Sequence, residues 1–366
     1  MNYADQFAAY TQPQPFRPSN KHVPDSNLLL VSDEVRADSL VPDLVTVISI
    51  NGETFAVRGD ISFTSGKPKA GKSAISVFMA ASALLPEGHT EDTLKIKVMP
   101  ANGRPVVIID TEQPKANTKK MARHICRILG VEPYDQPANL HIFNLRNYTK
   151  AEKLRRVQEL FEAYPTTHLW IIDGLADLID DVNGATESGK IVDSFMIQAS
   201  VLNTTIILVV HENPGSDKMR GHLGSEAERK GGGVITVVKD KDSGSHTIKS
   251  KILRNGPDFE PVYFSWSEGR KFFVTDGRAL ERAIAEKNKE ERDLARQCFP
   301  YGTEYLRHTQ LIERIKSTRN VKDTSAGNWM KRMLACAAIV KRSAEQDYVL
   351  ADDLALVLMP SPDFQS

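Results

Sequence analysis

Residues 66–73, GKPKAGKS, combine glycines, lysines and a hydroxyl group at the P-loop spacing that suits a triphosphate. Glycines let the main chain curl so that successive N–H groups point at one anion, and the following helix adds its positive end. Lys72 can then reach the β- and γ-phosphates, and the hydroxyl of Ser73 can ligate Mg²⁺. We therefore predict an ATP–Mg²⁺ site in this loop. The residues predicted to hold the nucleotide are Gly66, Lys67, Pro68, Lys69, Ala70, Gly71, Lys72, Ser73 and Ala74.

Polar side chains at the ends of two further apolar runs could complete this site. The run His168–Ile172 leads into Asp173, which we predict to hold Mg²⁺ together with Ser73; an aspartate that merely caps a buried strand is the alternative. The run Thr205–Val210 leads into His211, which could sense the γ-phosphate or serve only the structure of the strand end. Because the carboxyl ends of parallel strands meet at one edge of a sheet, both side chains would lie near the phosphates.

A third apolar run, Val106–Ile109, supplies the carboxylate that hydrolysis would need. It leads directly into Asp110-Thr111-Glu112. We predict that Glu112 is the general base that polarises the attacking water, with Asp110 as the second choice. The alternative is that these carboxylates only cap the helix that follows.

The elements that would position these residues alternate along the chain from about Leu40 to Asp276. Short β-branched runs separated by helical stretches predict an α/β fold with a mostly parallel sheet covered on both faces, extended by antiparallel strands at one edge. Asn51-Gly52 between two apolar runs predicts a hairpin. The predicted strands are Leu44–Ile50, Glu53–Val57, Ile61–Thr64, Pro105–Ile109, Leu140–Phe143, His168–Ile172, Thr205–Val210, Gly233–Lys239 and His246–Ile252. The predicted helices are Ser73–Leu85, Lys115–Leu129, Lys150–Ala163 and Gly189–Leu202.

Length and composition indicate a globular protein of two domains. The chain has 366 residues, of which 41% are hydrophobic and 26% charged, and 47 Lys and Arg residues balance 47 Asp and Glu residues. These fractions of hydrophobic and charged residues are typical of a globular protein with a packed core. Because the net charge is zero, a surface that binds nucleic acid would require basic residues to cluster locally. From changes in the pattern we predict a flexible arm over residues 1–38, the α/β domain over 39–277 and a helical domain over 278–366.

Cysteine usage and hydropathy indicate the compartment. Cys126, Cys298 and Cys336 lie far apart and form no CxxC pair, so we expect neither a disulfide framework nor a zinc site. The apolar runs fall well short of the about 20 residues that span a bilayer, and the N-terminal residues do not have the pattern of a signal peptide. We expect a cytoplasmic protein without membrane contact.

The order of these motifs resembles the RecA-like ATPase core, in particular the RepA-type hexameric helicases of plasmids and mobile elements. The resemblance spans about residues 40–275 and rests on GKPKAGKS, VVIIDTEQ, LWIIDGLADL, IILVVHENPG and SKILRNGPDF. It implies a hexameric ring in which Glu112 is the catalytic base and His211 the γ-phosphate sensor. It also implies that Arg254 is an arginine finger in the neighbouring subunit's site, with Lys251 as a candidate companion. A surface charge on a hairpin is the alternative for Arg254.

The same resemblance assigns a role to the glycine-rich segment 213–233. In such rings the corresponding loop lines the central pore, where its cations contact the phosphates of single-stranded DNA without reading sequence. A mobile lid without nucleic acid is the alternative. The predicted contacts are Lys218, Arg220, Arg229 and Lys230.

Residues 301–350 read as helix, turn, helix and a short hairpin, which resembles a winged helix-turn-helix. Between residues 301 and 343 there are nine basic and three acidic side chains, so charge that balances over the whole chain is locally positive. This segregation indicates duplex DNA binding, with Asn328, Lys331 and Arg332 on the exposed face of the second helix. A winged helix that docks on a protein is the alternative.

The predicted fold class is thus a RecA-like P-loop NTPase core with a C-terminal winged-helix domain. The first hypothesis for function is an Mg²⁺-ATP-hydrolysing, DNA-binding ring ATPase, a helicase or motor for replication or mobilisation of a plasmid or mobile genetic element. The second is a DNA-binding ATP switch for recombination, segregation or regulation that does not unwind DNA. A small-molecule kinase is the third, and the basic C-terminal module argues against it.

Overall fold

The computed structural model describes residues 35–37, 39–213, 218–300, 303–342 and 347–351. These residues fall into two compact units that separate between Asp276 and Gly277. The predicted flexible arm, apart from residues 35–37, lies outside the described residues.

The first unit alternates strands and helices over most of its length. In chain order its elements are β1 (Thr46–Ile50), β2 (Glu53–Val57), β3 (Ile61–Gly66), α1 (Lys72–Leu84), β4 (Ile96–Val98), β5 (Val106–Asp110), α2 (Lys115–Ile128), β6 (Leu140–Asn144), α3 (Lys150–Ala163), β7 (Leu169–Asp173), α4 (Ala185–Val201), β8 (Thr205–His211), α5 (Gly221–Lys230), β9 (Gly233–Lys239), β10 (His246–Leu253), β11 (Val262–Ser267) and β12 (Phe272–Thr275). Short 3₁₀ turns cover Pro133–Asp135 and Leu175–Leu178.

A nine-stranded sheet forms the centre of this unit, in the order β12-β11-β10-β9-β3-β8-β7-β5-β6. The six strands from β9 to β6 are parallel, and β10, β11 and β12 add an antiparallel edge. A small sheet in the order β2-β1-β4 packs beside it, with the predicted hairpin at Asn51-Gly52, where both residues have positive φ. The α/β class with a mostly parallel sheet is therefore confirmed.

The central strands are apolar along their whole length because helices cover both of their faces. In β7, Leu169 and Ile171 join the apolar layer that includes α1 and α2. Trp170 and Ile172 point to the other side and pack in the layer that includes α3, α4 and α5. The continuous apolar run is what a buried parallel strand requires, and it delivers polar side chains only at its carboxyl end.

The segment predicted as a flexible glycine-rich loop contains a helix, so this part of the prediction is wrong. α5 buries Leu223 and Ala227, four residues apart, against the sheet. Its glycines serve close packing: a Cβ at Gly224 would lie 2.5 Å from Cβ of Met219, and one at Gly221 would lie 2.4 Å from the carbonyl oxygen of Val182. Glycine here reflects lack of space and not flexibility.

The second unit has its own apolar core. Its elements are α6 (Gly277–Lys287), α7 (Lys289–Cys298), β13 (Leu306–Arg307), α8 (His308–Arg319), α9 (Asp323–Ala335), β14 (Ile339–Lys341) and β15 (Asp347–Leu350). The three short strands form an antiparallel sheet in the order β13-β15-β14. Leu294, Leu311, Ile315 and Met333 pack together under this sheet and the helices.

Candidate nucleotide-binding site

The loop between β3 and α1 has the backbone that its glycines predict. Gly66 has φ of +154°, and a Cβ there would lie 2.5 Å from the carbonyl oxygen of Val237. Gly71 has φ of +107° at the N-terminus of α1, where a Cβ would lie 3.0 Å from Nδ1 of His246. Side chains are therefore excluded at both positions, and the main chain can curl around an anion.

Lys72 is almost fully buried at the start of α1, with 6% of its surface exposed. Its Nζ donates to the carbonyl oxygens of Gly66 at 2.9 Å and Lys67 at 3.1 Å. Burial lowers the pKa of Lys72, while the nearby carboxylates of Asp173, Glu112 and Glu212 raise it. The side chain of Lys72 thus folds back on its own loop. Its hydrogen bonds there are to neutral carbonyl oxygens, which phosphate oxygens could replace.

Ser73 at the start of α1 meets Asp173 at the carboxyl end of β7, as the sequence predicts. Oγ of Ser73 donates to Oδ2 of Asp173 at 2.7 Å. Burial, followed by the neighbouring negative charges of Asp110 and Glu112, raises the pKa of Asp173 to about 6. A buried carboxylate beside a hydroxyl is a set of hard oxygen donors that fits Mg²⁺. In the described part of the chain, no group of three or more His, Cys, Asp or Glu side chains could hold a metal ion alone.

Glu112 and His211 lie in contact across the site. Nε2 of His211 lies 3.2 Å from Oε2 of Glu112, and Nδ1 of the same ring lies 3.2 Å from Nζ of Lys72. Strand register brings this about, because His211 of β8 pairs with Gly66 of β3. The hydrogen bond from His211 is the largest cause that lowers the pKa of Glu112, so the carboxylate is ionised at neutral pH.

Asp110, the second choice as general base, has a structural role. It is fully buried, and its Oδ1 accepts hydrogen bonds from the main-chain N–H groups of Glu112 at 3.1 Å and Gln113 at 2.9 Å. Its Oδ2 accepts from Oγ1 of Thr118 at 2.5 Å. These bonds fix the turn that carries Glu112 towards the phosphate loop. The helix α2 has Pro114 at its N-cap and no side-chain cap hydrogen bond, so neither carboxylate is a helix cap.

Three residues that sequence reasoning missed help to shape the site. Gly174 has φ of +110°, and a Cβ there would lie 2.9 Å from Cγ of Glu112, so its glycine makes room for the predicted base. Nε2 of Gln113 donates to Oγ of Ser73 at 3.2 Å. Nδ1 of His246 lies 2.7 Å from the carbonyl oxygen of Ala70. Gly174 and Gln113 adjoin predicted residues in sequence and could have been found there, whereas His246 is 176 residues away from Ala70.

A cleft of about 550 Å³ extends from the phosphate loop between α2 and β12. Its near end contains Lys72, Ser73, Glu112, Asp173 and His211. Its far end is mostly apolar, and the side chains there are Val77, Phe78, Met121, His124, Phe272 and Phe273. The cleft is thus polar where phosphates would lie and apolar where a planar base would lie.

Arg254 and Lys251 make contacts within their own unit. The exposed guanidinium of Arg254 donates through Nε to the carbonyl oxygen of Gly231 at 2.9 Å and through a second nitrogen to that of Arg229, at the C-terminal end of α5. Nζ of Lys251 lies 2.9 Å from Oε1 of the buried Glu212. Neither cation is among the described residues that line the cleft. The arginine-finger assignment remains a prediction about an assembled protein.

The predicted DNA contacts of the first unit differ in their surroundings. Lys230 forms ion pairs with Asp193 and with Glu226, the latter at 3.2 Å, and only 15% of its side chain is exposed. Its charge is therefore used inside the protein, which argues against the predicted role in binding phosphates. Arg229 pairs with Glu226 at 2.6 Å but keeps 66% of its side chain exposed, and Lys218 and Arg220 are exposed.

The three predicted contacts on α9 also separate. Asn328 and Lys331 are exposed, as predicted. Arg332 forms ion pairs with Glu291 and Glu290 of α7 and stacks 4.0 Å from the ring centre of Trp329. Arg332 thus packs α9 against α7, while 53% of its side chain stays exposed, as predicted.

Every helix in the described part of the chain is too short or too polar to traverse a lipid bilayer. A search of curated proteins finds no match to this chain. Residues 50–217, which include the phosphate loop, Glu112, Asp173 and His211, match the family model described as AAA domain, which indicates an ATPase of the P-loop type.

Proposed function

We propose that this protein is an Mg²⁺-dependent ATP hydrolase that assembles as a RecA-like ring on DNA and acts as a helicase or motor for a plasmid or mobile genetic element. The observation that carries the hydrolytic part is the contact chain from Lys72 through His211 to Glu112, beside the Ser73–Asp173 pair. These five side chains come from the start of α1 and from the carboxyl ends of β5, β7 and β8, and they meet at one edge of the sheet. Together they supply the groups that transfer of a phosphoryl group to water requires: a cation for the phosphates, oxygen ligands for Mg²⁺ and a carboxylate to polarise the water.

In this proposal the polar end of the cleft holds the triphosphate. The curled main chain and Lys72 bind the β- and γ-phosphates, and Ser73 and Asp173 hold Mg²⁺, which neutralises developing charge when bound. The apolar end of the cleft, with Phe273 and His124, accepts the base. Glu112 polarises the attacking water, because it is ionised at neutral pH and 35% of its side chain is exposed at the site.

The DNA-binding part of the proposal depends on local charge. Arg220 is exposed, and its main-chain N–H donates to the carbonyl oxygen of His211 at 3.0 Å. DNA bound by Arg220 would therefore be connected to the nucleotide site through this hydrogen bond. In the second unit, the three-stranded sheet and helices support a winged helix-turn-helix, in which exposed Asn328 and Lys331 lie on the second helix. Binding of DNA phosphates by the cations Arg220 and Lys331 would weaken as the salt concentration rises.

The test is ATP hydrolysis by the purified protein with and without single-stranded DNA, followed by strand displacement from a partial duplex. Wild type should hydrolyse ATP in the presence of Mg²⁺, and DNA should increase the rate. Lys72→Ala should abolish turnover while its circular dichroism stays that of wild type; an unchanged kcat would reject the assignment. DNA-stimulated turnover without displaced strand would favour an ATP switch over a motor.

A further inference from the structure

Strand β10 and the residue directly after it carry two cations that contact opposite ends of one segment of the chain. Lys251 pairs with Glu212, the first residue after β8. Arg254, three residues later, bonds to the carbonyl oxygens of Arg229 and Gly231, where α5 ends. The segment between these anchors begins directly after His211 and includes α5. Lys251 and Arg254 therefore contact both the beginning and the end of this segment.

Glu212 is a buried carboxylate with an unusual number of partners. Its side chain is 2% exposed, and its Oε1 accepts from Oγ of Ser65 at 2.9 Å and Oγ1 of Thr236 at 2.8 Å, besides Nζ of Lys251. Its main-chain N–H donates to the carbonyl oxygen of Gly66 at 3.2 Å. Through one residue, the end of β8 is hydrogen-bonded to β3, β9 and β10.

The position of Glu212 in the chain gives these contacts a consequence for catalysis. It directly follows His211, whose ring contacts both Lys72 and Glu112. Adjacent side chains of a strand point to opposite faces, so Glu212 anchors the main chain from behind while His211 faces the site. A shift of a few tenths of an ångström at residue 212 would move the histidine ring relative to both partners.

We infer that Glu212 and Lys251 form a positioning pair that holds His211 in register with the phosphate loop, an inference that rests on the proposed hydrolysis of ATP. Neither side chain lines the cleft among the described residues. The pair acts through His211 and Gly66. A carboxylate in this buried place needs a cation, because an unpaired charge would draw in water or shift the strand end.

The pair predicts a specific pattern of kinetic effects. Loss of His211 alignment affects the transition state more than the bound ground state, because the main-chain groups that grip the phosphates stay in place. Variants should therefore lose kcat while their affinity for a non-hydrolysable ATP analogue changes little. A pair with only a structural role would change thermal stability, and kcat and analogue affinity would follow together.

The experiment compares Glu212→Gln, Lys251→Met and the double variant with Lys249→Met, which removes an exposed lysine from the same strand. We expect each single variant to lower kcat at least tenfold with analogue Kd within threefold of wild type. The double variant should be no slower than the slower single variant, because both substitutions break the same pair. Lys249→Met should behave as wild type.

Wild-type kcat in a folded single variant, or kcat losses that multiply in the double variant, would overturn the inference. If the charged-pair variants do not fold, Thr236→Val replaces one donor to Glu212 with a side chain of equal shape, and should still lower kcat about threefold with unchanged analogue affinity. Unaltered kcat in Thr236→Val would then reject the inference. A wild-type protein without ATPase activity would instead reject the proposed function itself.

Discussion

Nε2 of His211 lies 3.2 Å from a carboxylate oxygen of Glu112, while Nδ1 of the same ring lies 3.2 Å from Nζ of Lys72. An ammonium group only donates hydrogen bonds, so Nδ1 must accept from Lys72. In the neutral ring, the proton then lies on Nε2 and is donated to Glu112. The histidine therefore links the ammonium group of Lys72 to the carboxylate of Glu112, and its hydrogen bond lowers the pKa of that carboxylate.

Replacing His211 should change both the rate and its pH dependence. We expect His211→Ala to lower kcat by about 10²-fold, the order found when one oriented donor is removed from an active site. Because the bond from His211 lowers the pKa of Glu112, its loss should raise that pKa. The acidic limb of the kcat profile, which lies below the ordinary glutamate pKa of 4.5 in wild type, should move to higher pH, measured from about pH 3.5 to 7. His308→Ala, an exposed histidine of the second unit, is the control; an unmoved limb would contradict the assigned contact.

Glu112→Gln should separate binding from hydrolysis. The amide keeps the size of the side chain but cannot polarise water as a carboxylate does, so kcat should fall about 10²- to 10⁴-fold. Fluorescent ATP-analogue binding should stay within a few-fold of wild type, because Lys72 and the main-chain loop remain. Glu268→Gln, whose side chain is 78% exposed, should have no effect. Equal turnover in the Glu112 variant would exclude it as the base.

The main features of this site could be predicted from sequence because one rule covers them. Asp173, Glu112 and His211 each follow an apolar run, and parallel strands deliver such residues to one edge. The P-loop spacing then identifies which edge it is.

What could not be predicted depends on residues distant in sequence. The hydroxyl of Thr236 and the ammonium of Lys251 both reach Glu212, yet no local pattern connects these positions. The sequence pattern does not indicate helix α5, because glycines such as Gly221 and Gly224 are typical of flexible loops. In the structure these two glycines instead make room for neighbours from outside the helix, the carbonyl of Val182 and the side chain of Met219. Sequence composition does not distinguish a glycine that makes the main chain flexible from a glycine that is required because a Cβ would clash with a neighbour.

Gly174→Ala should affect stability and turnover together. The new Cβ would lie 2.1 Å from Oγ1 of Thr111 and 2.9 Å from Cγ of Glu112, at φ of +110°. Backbone strain and the forced shift should cost about 2–4 kcal/mol in the free energy of unfolding, and displacement of Glu112 should lower kcat. Gly88→Ala has positive φ but open space around it, so it should cost about 1 kcal/mol and leave kcat unchanged. Equal effects of the two substitutions in urea unfolding would contradict this packing.

Stability should fall in mild acid because His168 is buried with arginines and without a carboxylate partner in the described contacts. Burial, then the charge of Arg58, lowers the pKa of His168 from 6.5 to about 4. As the pH falls, the unfolded chain binds the proton at higher pH than the folded protein does. The contribution of His168 to the free energy of unfolding is therefore complete above about pH 6.5 and is lost as pH falls towards 4, by about 3 kcal/mol in total. Urea unfolding at pH 7 and pH 4.5 should show a smaller difference for His168→Gln than for wild type. The same difference in both proteins would contradict the shift.

Arg254→Ala tests whether the arginine acts within its subunit or on a neighbour. As a finger in trans, it would stabilise charge in the adjacent site, so the variant should bind ATP but lose turnover. Mixing it with Glu112→Gln subunits should restore part of the rate, because each ring then contains sites with an intact Glu112 and an intact neighbouring Arg254.

The bonds from Arg254 to the end of α5 make the opposite outcome equally specific. If its only role is to hold that helix, an intact neighbour cannot supply it, and mixed rings will stay inactive. Mass photometry must therefore establish that mixed rings form before the rate is interpreted. Mixed rings without restored turnover would reject the finger and assign Arg254 to its own subunit.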